Sequence, residues 1–178
     1  GAGKTFSAGG DLSTMQDMTA FEGRERIRAG RAMVESIWRS EKPVVAAVEG
    51  FAFGAGLSLA LLADWIVAAE DASFCASFGR VGLMGDMGLF WTLPQRVSAG
   101  RARRILMLAE VVTAQEALKI GLVEEISNNG KALDQAMAKA QAMAEAAPLP
   151  NRLTREALGQ FPATLDDMLA YEAHGQGL

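Results

Sequence analysis

The sequence contains few of the side chains that support disulfides or thiol chemistry. Its 178 residues include one cysteine, Cys75, and one histidine, His174. A single cysteine excludes an internal disulfide and fits a reducing compartment, so we expect a cytoplasmic protein. No histidine partners Cys75, which favours a packed thiol over a catalytic one.

Strong charge and long apolar runs are also missing. The formal net charge is −4 and the 17 lysines and arginines form no strongly basic stretch, which argues against nucleic acid as a partner. No apolar run is long and uninterrupted enough to cross a bilayer, so we expect no membrane association. The chain is nevertheless long enough for one domain with a hydrophobic core.

The two ends of the sequence predict a chain that is truncated on both sides. The segment from Gly1 to Asp11 opens inside a glycine-rich turn and lacks the apolar region of a signal peptide. The last residues, His174 to Leu178, show no closing element. Family residues are therefore expected to be missing at both ends.

Hydrophobic patterning predicts an α/β protein in which strands alternate with helices in the first half and helices dominate the second. Thr19 with Glu22, and Thr113 with Glu116, have the spacing of capping boxes. Continuous apolar runs that are rich in β-branched residues indicate buried strands. We expect helices at residues 19–40, 57–63, 99–110, 113–120, 131–146, 151–160 and 164–173, strands at 44–48, 65–69 and 122–126, and irregular chain at 73–93.

Two glycine-rich turns, Ser7 to Asp11 and Phe53 to Leu57, are the candidates for chemistry. Small residues let main-chain N–H groups approach a substrate closely, and two such donors can stabilise the oxyanion of an attacked or deprotonated thioester. The second turn leads into an apolar helix, which adds the positive end of a helix dipole. Each turn on its own is more simply explained as a plain structural turn.

Several motifs, distributed over nearly the whole chain, resemble those of a known family in residue identity and in spacing. They are FSAGGDL at residues 6–12, KPVVAAVEGFAFGAG at 42–56, RVGL at 80–83, and TAQEA followed by GLV at 113–123. Together they resemble the crotonase (enoyl-CoA hydratase/isomerase) superfamily. The resemblance implies a spiral of β-β-α turns, here residues 1–126, followed by a helical tail, residues 127–178, that is used in contacts within a homotrimer or a dimer of trimers.

The same resemblance implies a substrate and a site. The substrate is an acyl-CoA thioester, with coenzyme A as part of the substrate and neither a separate cofactor nor a metal. The oxyanion amides are those of Ala8 and Ala55. Further residues are implied to contact the coenzyme A or the acyl group: Ser7, Gly10, Asp11, Leu12, Gly54, Gly56, Phe78, Met84, Leu89 and Phe90. For Phe78, Met84, Leu89 and Phe90, packing in the core explains the pattern equally well.

The catalytic side chains depart from those of the family hydratases, which use two glutamates. The resemblance places Ser58 and Phe78 at those positions, and neither can transfer a proton as a carboxylate does. Asp86 lies instead among Met84, Met87 and other apolar residues, where its pKa should be raised. Some family isomerases carry their acid/base aspartate at this place in the loop, and family aroyl-CoA dehalogenases use an aspartate there as nucleophile.

Several functions remain open. We expect an enoyl-CoA isomerase in which Asp86 moves a proton and the two amides hold an enolate. A hydratase or hydrolase in which Asp86 activates water is the first alternative. A dehalogenase also needs a histidine base, and His174 is more simply a solvated or interface residue. A non-catalytic acyl-CoA-binding subunit is the third alternative.

Overall fold

The computed structural model describes residues 3–15, 17–159 and 164–175. The first spiral turn of the chain contains two short strands and a helix. The strand β1, Val45–Val48, leads through Gly50 into β2, Phe51–Phe53, and α2, Ala55–Ala60, follows directly. Gly50 has φ of 59°, a conformation that glycine adopts without steric cost, so the chain can reverse between the strands.

A second spiral turn repeats this order. The strand β3, Trp65–Ala69, is followed by β4, Ser73–Cys75, a 3-10 helix at Ser77–Val81, and α3, Leu89–Arg96. Each spiral turn gives one strand to each of two sheets. One sheet has the order β1-β3-β6, with β6 at Glu125–Ser127, and all its strands are parallel. The other has the order β2-β4-β5, in which β5, Val111–Thr113, runs antiparallel to β4.

The remaining helices surround these sheets. They are α1, Ala20–Trp38, α4, Ala99–Leu108, α5, Ala114–Lys119, α6, Ala132–Glu145, α7, Pro148–Gly159, and α8, Leu165–Gly175. The core lies between the sheets and α2 to α6, and contains Val48, Leu57, Ile66 and Phe74. In contrast, none of the 19 residues of α1 is buried.

Helix α6 begins at a cap supplied by another element. Both Glu49 carboxylate oxygens accept main-chain N–H bonds at this helix start, from Gly130 at 3.0 Å and from Ala132 at 2.9 Å. Lys131, which precedes the first helical residue, makes no side-chain cap bond. Ala132 and Ala136 then pack into the core, so α6 is joined to the spiral although the sequence places it in the tail. The division at residue 126 stays a prediction.

Several expectations about elements are confirmed and others are wrong. The strand β3 and the capping box of α1 are as expected. The segment 73–93, expected to be irregular, contains β4 and the first five residues of α3, and the second glycine-rich turn is preceded by the unexpected strand β2. At α5 only half of the expected capping box forms, because Thr113 accepts from Glu116 N while the Glu116 carboxylate pairs with Arg101. Within the described residues no helix is long and apolar enough to cross a membrane.

Candidate active site

The first glycine-rich turn begins where the chain leaves a sheet. Ser7 forms a parallel bridge with Ala52 of β2. The Ser7 N–H donates to Phe51 O at 2.8 Å, and Phe53 N–H donates to Ser7 O at 2.9 Å. These bonds add a short edge to the sheet and place Ala8 beside the end of β2.

The second turn is held against the first by contacts that only glycine permits. A methyl group on Gly56 would lie 2.7 Å from Ser7 Cβ and 2.9 Å from Ser7 Oγ, and closer still to the Ser7 carbonyl oxygen. Gly9, with φ of 101°, brings its backbone close to Ala55, since a methyl there would lie 3.6 Å from Ala55 N. The two turns therefore form one surface made of main chain.

Two main-chain N–H groups of this surface, those of Ala8 and Ala55, have no acceptor among the described residues. Ala55 is the first residue of α2, and Gly54 before it provides no side-chain cap. Both alanines line a narrow cleft of about 90 Å³, which we call the amide cleft. Its other lining residues are Gly9, Gly10, Leu12, Met15, Arg26, Gly54, Ser77, Phe78, Val81, Leu83 and Asp86. Because α2 has only six residues, we attribute the donor capacity to the individual amides rather than to a helix dipole.

The third feature of the cleft is the Asp86 carboxyl group. It lies in the loop that precedes α3, where Met87 has φ of 52° and Gly88 has φ of 81°. A left-handed conformation is costly for methionine, so this loop holds a strained backbone next to Asp86. The Asp86 Oδ1 atom is buried and has no hydrogen-bond partner among the described residues.

The environment of Asp86 shifts the pKa of its carboxyl group upward. Burial raises the pKa of this carboxyl group, while the Arg26 charge and a hydrogen bond from its own backbone lower it by less. A carboxylate with a raised pKa and a free oxygen can accept a proton from a substrate and release it again near neutral pH. Asp86 is also the only acidic residue among those that line the amide cleft.

A wider groove opens from the cleft along one face of α1. This α1 groove, of about 1000 Å³, shares Met15, Arg26, Ala55 and Asp86 with the amide cleft. Its remaining wall is mostly apolar and includes Met18, Ile27, Met33, Val34 and Met87. The arrangement suits an apolar chain whose polar end lies at the two amides.

The structure places most of the sequence-predicted residues in or behind the amide cleft. Ala8, Gly10, Leu12, Gly54, Ala55, Phe78 and Asp86 line the amide cleft together. Gly56 and Ser7 lie behind it and set the distance between the turns. The Asp11 carboxylate accepts from the N–H and hydroxyl of Ser13, which lowers the pKa of Asp11, and it starts the 3-10 helix Leu12–Met15 rather than facing the cleft.

The three remaining predictions do not coincide with either cavity. Leu89 is fully buried in the core because it begins α3 on the inner face of that helix. Met84 and Phe90 are 76% and 52% exposed and line neither the amide cleft nor the α1 groove. The side chain of His174 lies outside the described residues.

The two positions at which family hydratases carry glutamates are occupied here by Ser58 and Phe78, so neither holds a carboxylate. Ser58 is buried on α2, and its hydroxyl donates to Gly54 O at 3.5 Å. No acidic residue occurs in the sequence between Asp71 and Asp86. The site therefore has one carboxylate, and within the described residues no group of acids, histidines or cysteines has the geometry of a metal site.

Sequence reasoning missed the contribution of α1. Gly23, Ile27, Gly30 and Val34 recur at helical spacing, and this face lines the groove instead of packing into the core. Arg26 lies on the same face and reaches the amide cleft. Two glycines on one helix face, Gly23 and Gly30, were the signal that something approaches that face closely.

With this geometry in place, comparisons with known proteins identify the family. The family model for enoyl-CoA hydratase/isomerase matches residues 1–174. The chain belongs to the enoyl-CoA hydratase/isomerase family. It is 35% identical over 176 residues to a crotonyl-CoA hydratase of Syntrophomonas wolfei, covering 98% of this chain and 68% of the relative. It is 32% identical to a short-chain-enoyl-CoA hydratase of Clostridium acetobutylicum, covering 99% of this chain and 69% of the relative.

Solved structures agree with the membership. The crystal structure of an enoyl-CoA hydratase from Polaromonas sp. JS666 superposes with a TM-score of 0.93 at 36% identity, covering 98% of this chain and 69% of that one. These comparisons confirm the crotonase superfamily and the α/β spiral fold. The family members compared here are named for hydration, and this chain spans about two thirds of their length.

Proposed function

We propose that this chain acts on acyl-CoA thioesters and that its reaction is the migration of a double bond. The thioester carbonyl oxygen accepts hydrogen bonds from Ala8 N–H and Ala55 N–H, which have no other described acceptor. The acyl chain extends along the α1 groove, past Asp86. Two preorganised amide donors of this kind contribute roughly 3 kcal/mol each to stabilising an oxyanion.

The single observation that carries the proposal is the lone carboxylate of the amide cleft. In isomerisation, one base takes a proton from the carbon next to the carbonyl and returns it to the carbon two bonds further along. The electron pair left behind moves onto the carbonyl oxygen, so the intermediate is a dienolate held by the two amides. Asp86 alone can perform both proton transfers, because it is neutral after the first and ionised again after the second.

Asp86→Asn tests this role. Asparagine keeps the shape of the side chain and cannot accept the proton. With a 3-enoyl-CoA as substrate, we expect the kcat for formation of the conjugated 2-enoyl product to fall by at least about 10²-fold. The KM should stay close to that of the original chain, since the oxyanion donors are untouched.

Asp166→Asn is the matched control, because it makes the same chemical change at an exposed position of α8. It should leave the rate unchanged. Undiminished double-bond migration by Asp86→Asn would show that another group moves the proton.

Hydration is the second candidate, favoured by the names of the compared relatives. In that reaction Asp86 would activate water for addition to a 2-enoyl thioester. Turnover in ¹⁸O-labelled water separates the two reactions. Addition places solvent oxygen in the acyl group, whereas isomerisation places no solvent oxygen in the product.

We further propose that the chain associates as a homotrimer or a dimer of trimers through its helical tail. The tail carries exposed apolar side chains, among them Leu158, Leu165 and Leu169. Exposed apolar surface of this kind favours association. Sedimentation equilibrium would give the mass, and a monomer at micromolar concentration would contradict the proposal.

A further inference from the structure

Two arginines of α1, Arg24 and Arg26, make no ion pair among the described residues, and of these two only Arg26 lines the amide cleft. Arg28 pairs with Glu25 and Arg31 with Glu35, within the same helix. Among the described residues no carboxylate oxygen lies within 4.0 Å of the Arg26 guanidinium. Its charge is therefore available to the cavities that it lines.

The guanidinium is nevertheless held in place. Arg26 Nη1 donates to Thr14 Oγ1 at 3.1 Å, and the Thr14 hydroxyl donates to Asp11 O at 2.7 Å. The other terminal nitrogen, Nη2, lies against the first glycine-rich turn, where a methyl on Gly10 would approach it to 2.6 Å. Arg26 is thus fixed against the backbone that presents the Ala8 amide.

Arg26 and Asp86 line the same two cavities without forming an ion pair. Both line the amide cleft and the α1 groove, so both border the space that the proposed acyl group occupies. A direct ion pair would occupy the Asp86 oxygen that has to accept the proton. The separation leaves Oδ1 without a partner, as the structure shows.

We propose that Arg26 is a positioning residue for the proton transfer, supplying the positive charge that faces ionised Asp86 in the resting site and the enolate after Asp86 has taken the proton. The inference rests on the proposed isomerisation. The proton moves from substrate carbon to Asp86, so one negative charge moves from the carboxylate to the thioester oxygen. The transfer itself leaves the net charge of the cleft unchanged, and Arg26 offsets the negative charge both on the carboxylate and on the enolate, which limits the electrostatic cost of holding that charge in a partly buried site.

The surroundings of Asp86 support this assignment. The Arg26 charge lowers the pKa of Asp86 against the raising effect of burial. The α1 groove is also lined by three other arginines of α1, namely Arg24, Arg28 and Arg31. Among the arginines of the described residues, only Arg26 lines the amide cleft as well as the groove. On the 3-10 helix that precedes the Asp86 loop, Arg80 donates to Ala109 O at 2.6 Å. The nearby Asp11 carboxylate is bonded to Ser13.

The test compares Arg26→Gln, Arg26→Lys and a remote control. Arg103→Gln on α4 removes the same charge from an exposed position and should change nothing. The first measurement is the pKa of Asp86 by ¹³C-carboxyl NMR titration, assigned with Asp86→Asn. The second is the pH dependence of kcat for double-bond migration.

We expect Arg26→Gln to raise the pKa of Asp86 and to move the acidic limb of the kcat profile to higher pH by the same interval. At a pH below that limb, kcat should fall about tenfold for each pH unit by which the limb moves. Arg26→Lys should restore most of both. If Arg26→Gln changes KM alone and leaves the pKa and the acidic limb in place, Arg26 only binds substrate and the proposal is wrong.

The NMR titration needs no turnover. An absence of isomerase activity therefore counts against the proposed function, while an unmoved pKa counts against the role of Arg26, and the two failures are distinguishable.

Discussion

Gly56→Ala should damage the oxyanion site without changing any side chain that lines it. The added methyl would lie 2.7 Å from Ser7 Cβ and closer to the Ser7 carbonyl oxygen. An ordinary contact between two carbons needs about 3.5 Å, so the two turns must separate by about 0.8 Å. Gly56 itself is buried, which leaves the methyl no alternative direction.

That separation affects both stability and rate. Overpacking of a buried position costs about 1–3 kcal/mol. The bonds that join Ser7 to Phe51 and Phe53 are the ones that must stretch. A displacement approaching 1 Å between groups that act on one oxygen lowers the rate by about 10²-fold.

The assay combines urea unfolding with steady-state kinetics on a 3-enoyl-CoA. Gly79→Ala is the matched control, since Gly79 lies on the 3-10 helix beside the cleft and a methyl there meets nothing within 4 Å. We expect the control to keep both stability and kcat. If Gly56→Ala behaves like Gly79→Ala, the two turns do not set the oxyanion geometry.

Three further outcomes are expected. Because burial raises the pKa of Asp86, ionised Asp86 destabilises the fold at a pH above the ordinary carboxyl pKa. Asp86→Asn should therefore raise the thermal midpoint at pH 7, and a gain that persists undiminished at pH 4 would contradict this explanation. Arg155 has a side chain that is 9% exposed, and it binds the Asp64 carboxylate and three main-chain carbonyls, those of Ile37, Trp38 and Ser40. Arg155→Met should therefore lower the free energy of unfolding in urea by about 3 kcal/mol, and a loss below about 1 kcal/mol would contradict this reasoning. Glu49→Ala removes the cap of α6 and should lower the free energy of unfolding by about 1 kcal/mol. Glu49→Gln keeps one acceptor oxygen and should cause a smaller loss, whereas equal losses would show that the cap bonds are not responsible.

The elements predicted best were those whose limits are marked by neighbouring residues in the sequence. The strand β3 follows Asp64 and precedes Glu70, so its apolar run has polar ends that mark its limits. The strands β2 and β5 have three residues each, too few for a periodic pattern, and their pairing depends on distant partners. Helix α3 contains Pro94 and follows a glycine-rich loop, so the local signals for a turn outweighed its helical pattern.

The candidate site divides in the same way. Its backbone part could be predicted, because glycine at close approaches leaves a sequence signature in both turns. Its wall on α1 could not, since a helix face that lines a groove has the same pattern as one that packs into a core. Arg26 was missed because its proximity to Asp86 depends on tertiary structure across 60 positions of the chain.

The two unbonded amides of Ala8 and Ala55 belong to the main chain, and this limits how such a site can be altered. Replacement of either alanine by any residue other than proline keeps its N–H, so such substitutions displace the donors without deleting them. The carboxylate opposite them is a single side chain on a loop of its own. In the proposed function, the two donors that activate the thioester belong to the backbone of the fold, whereas the group that selects the reaction is one replaceable side chain.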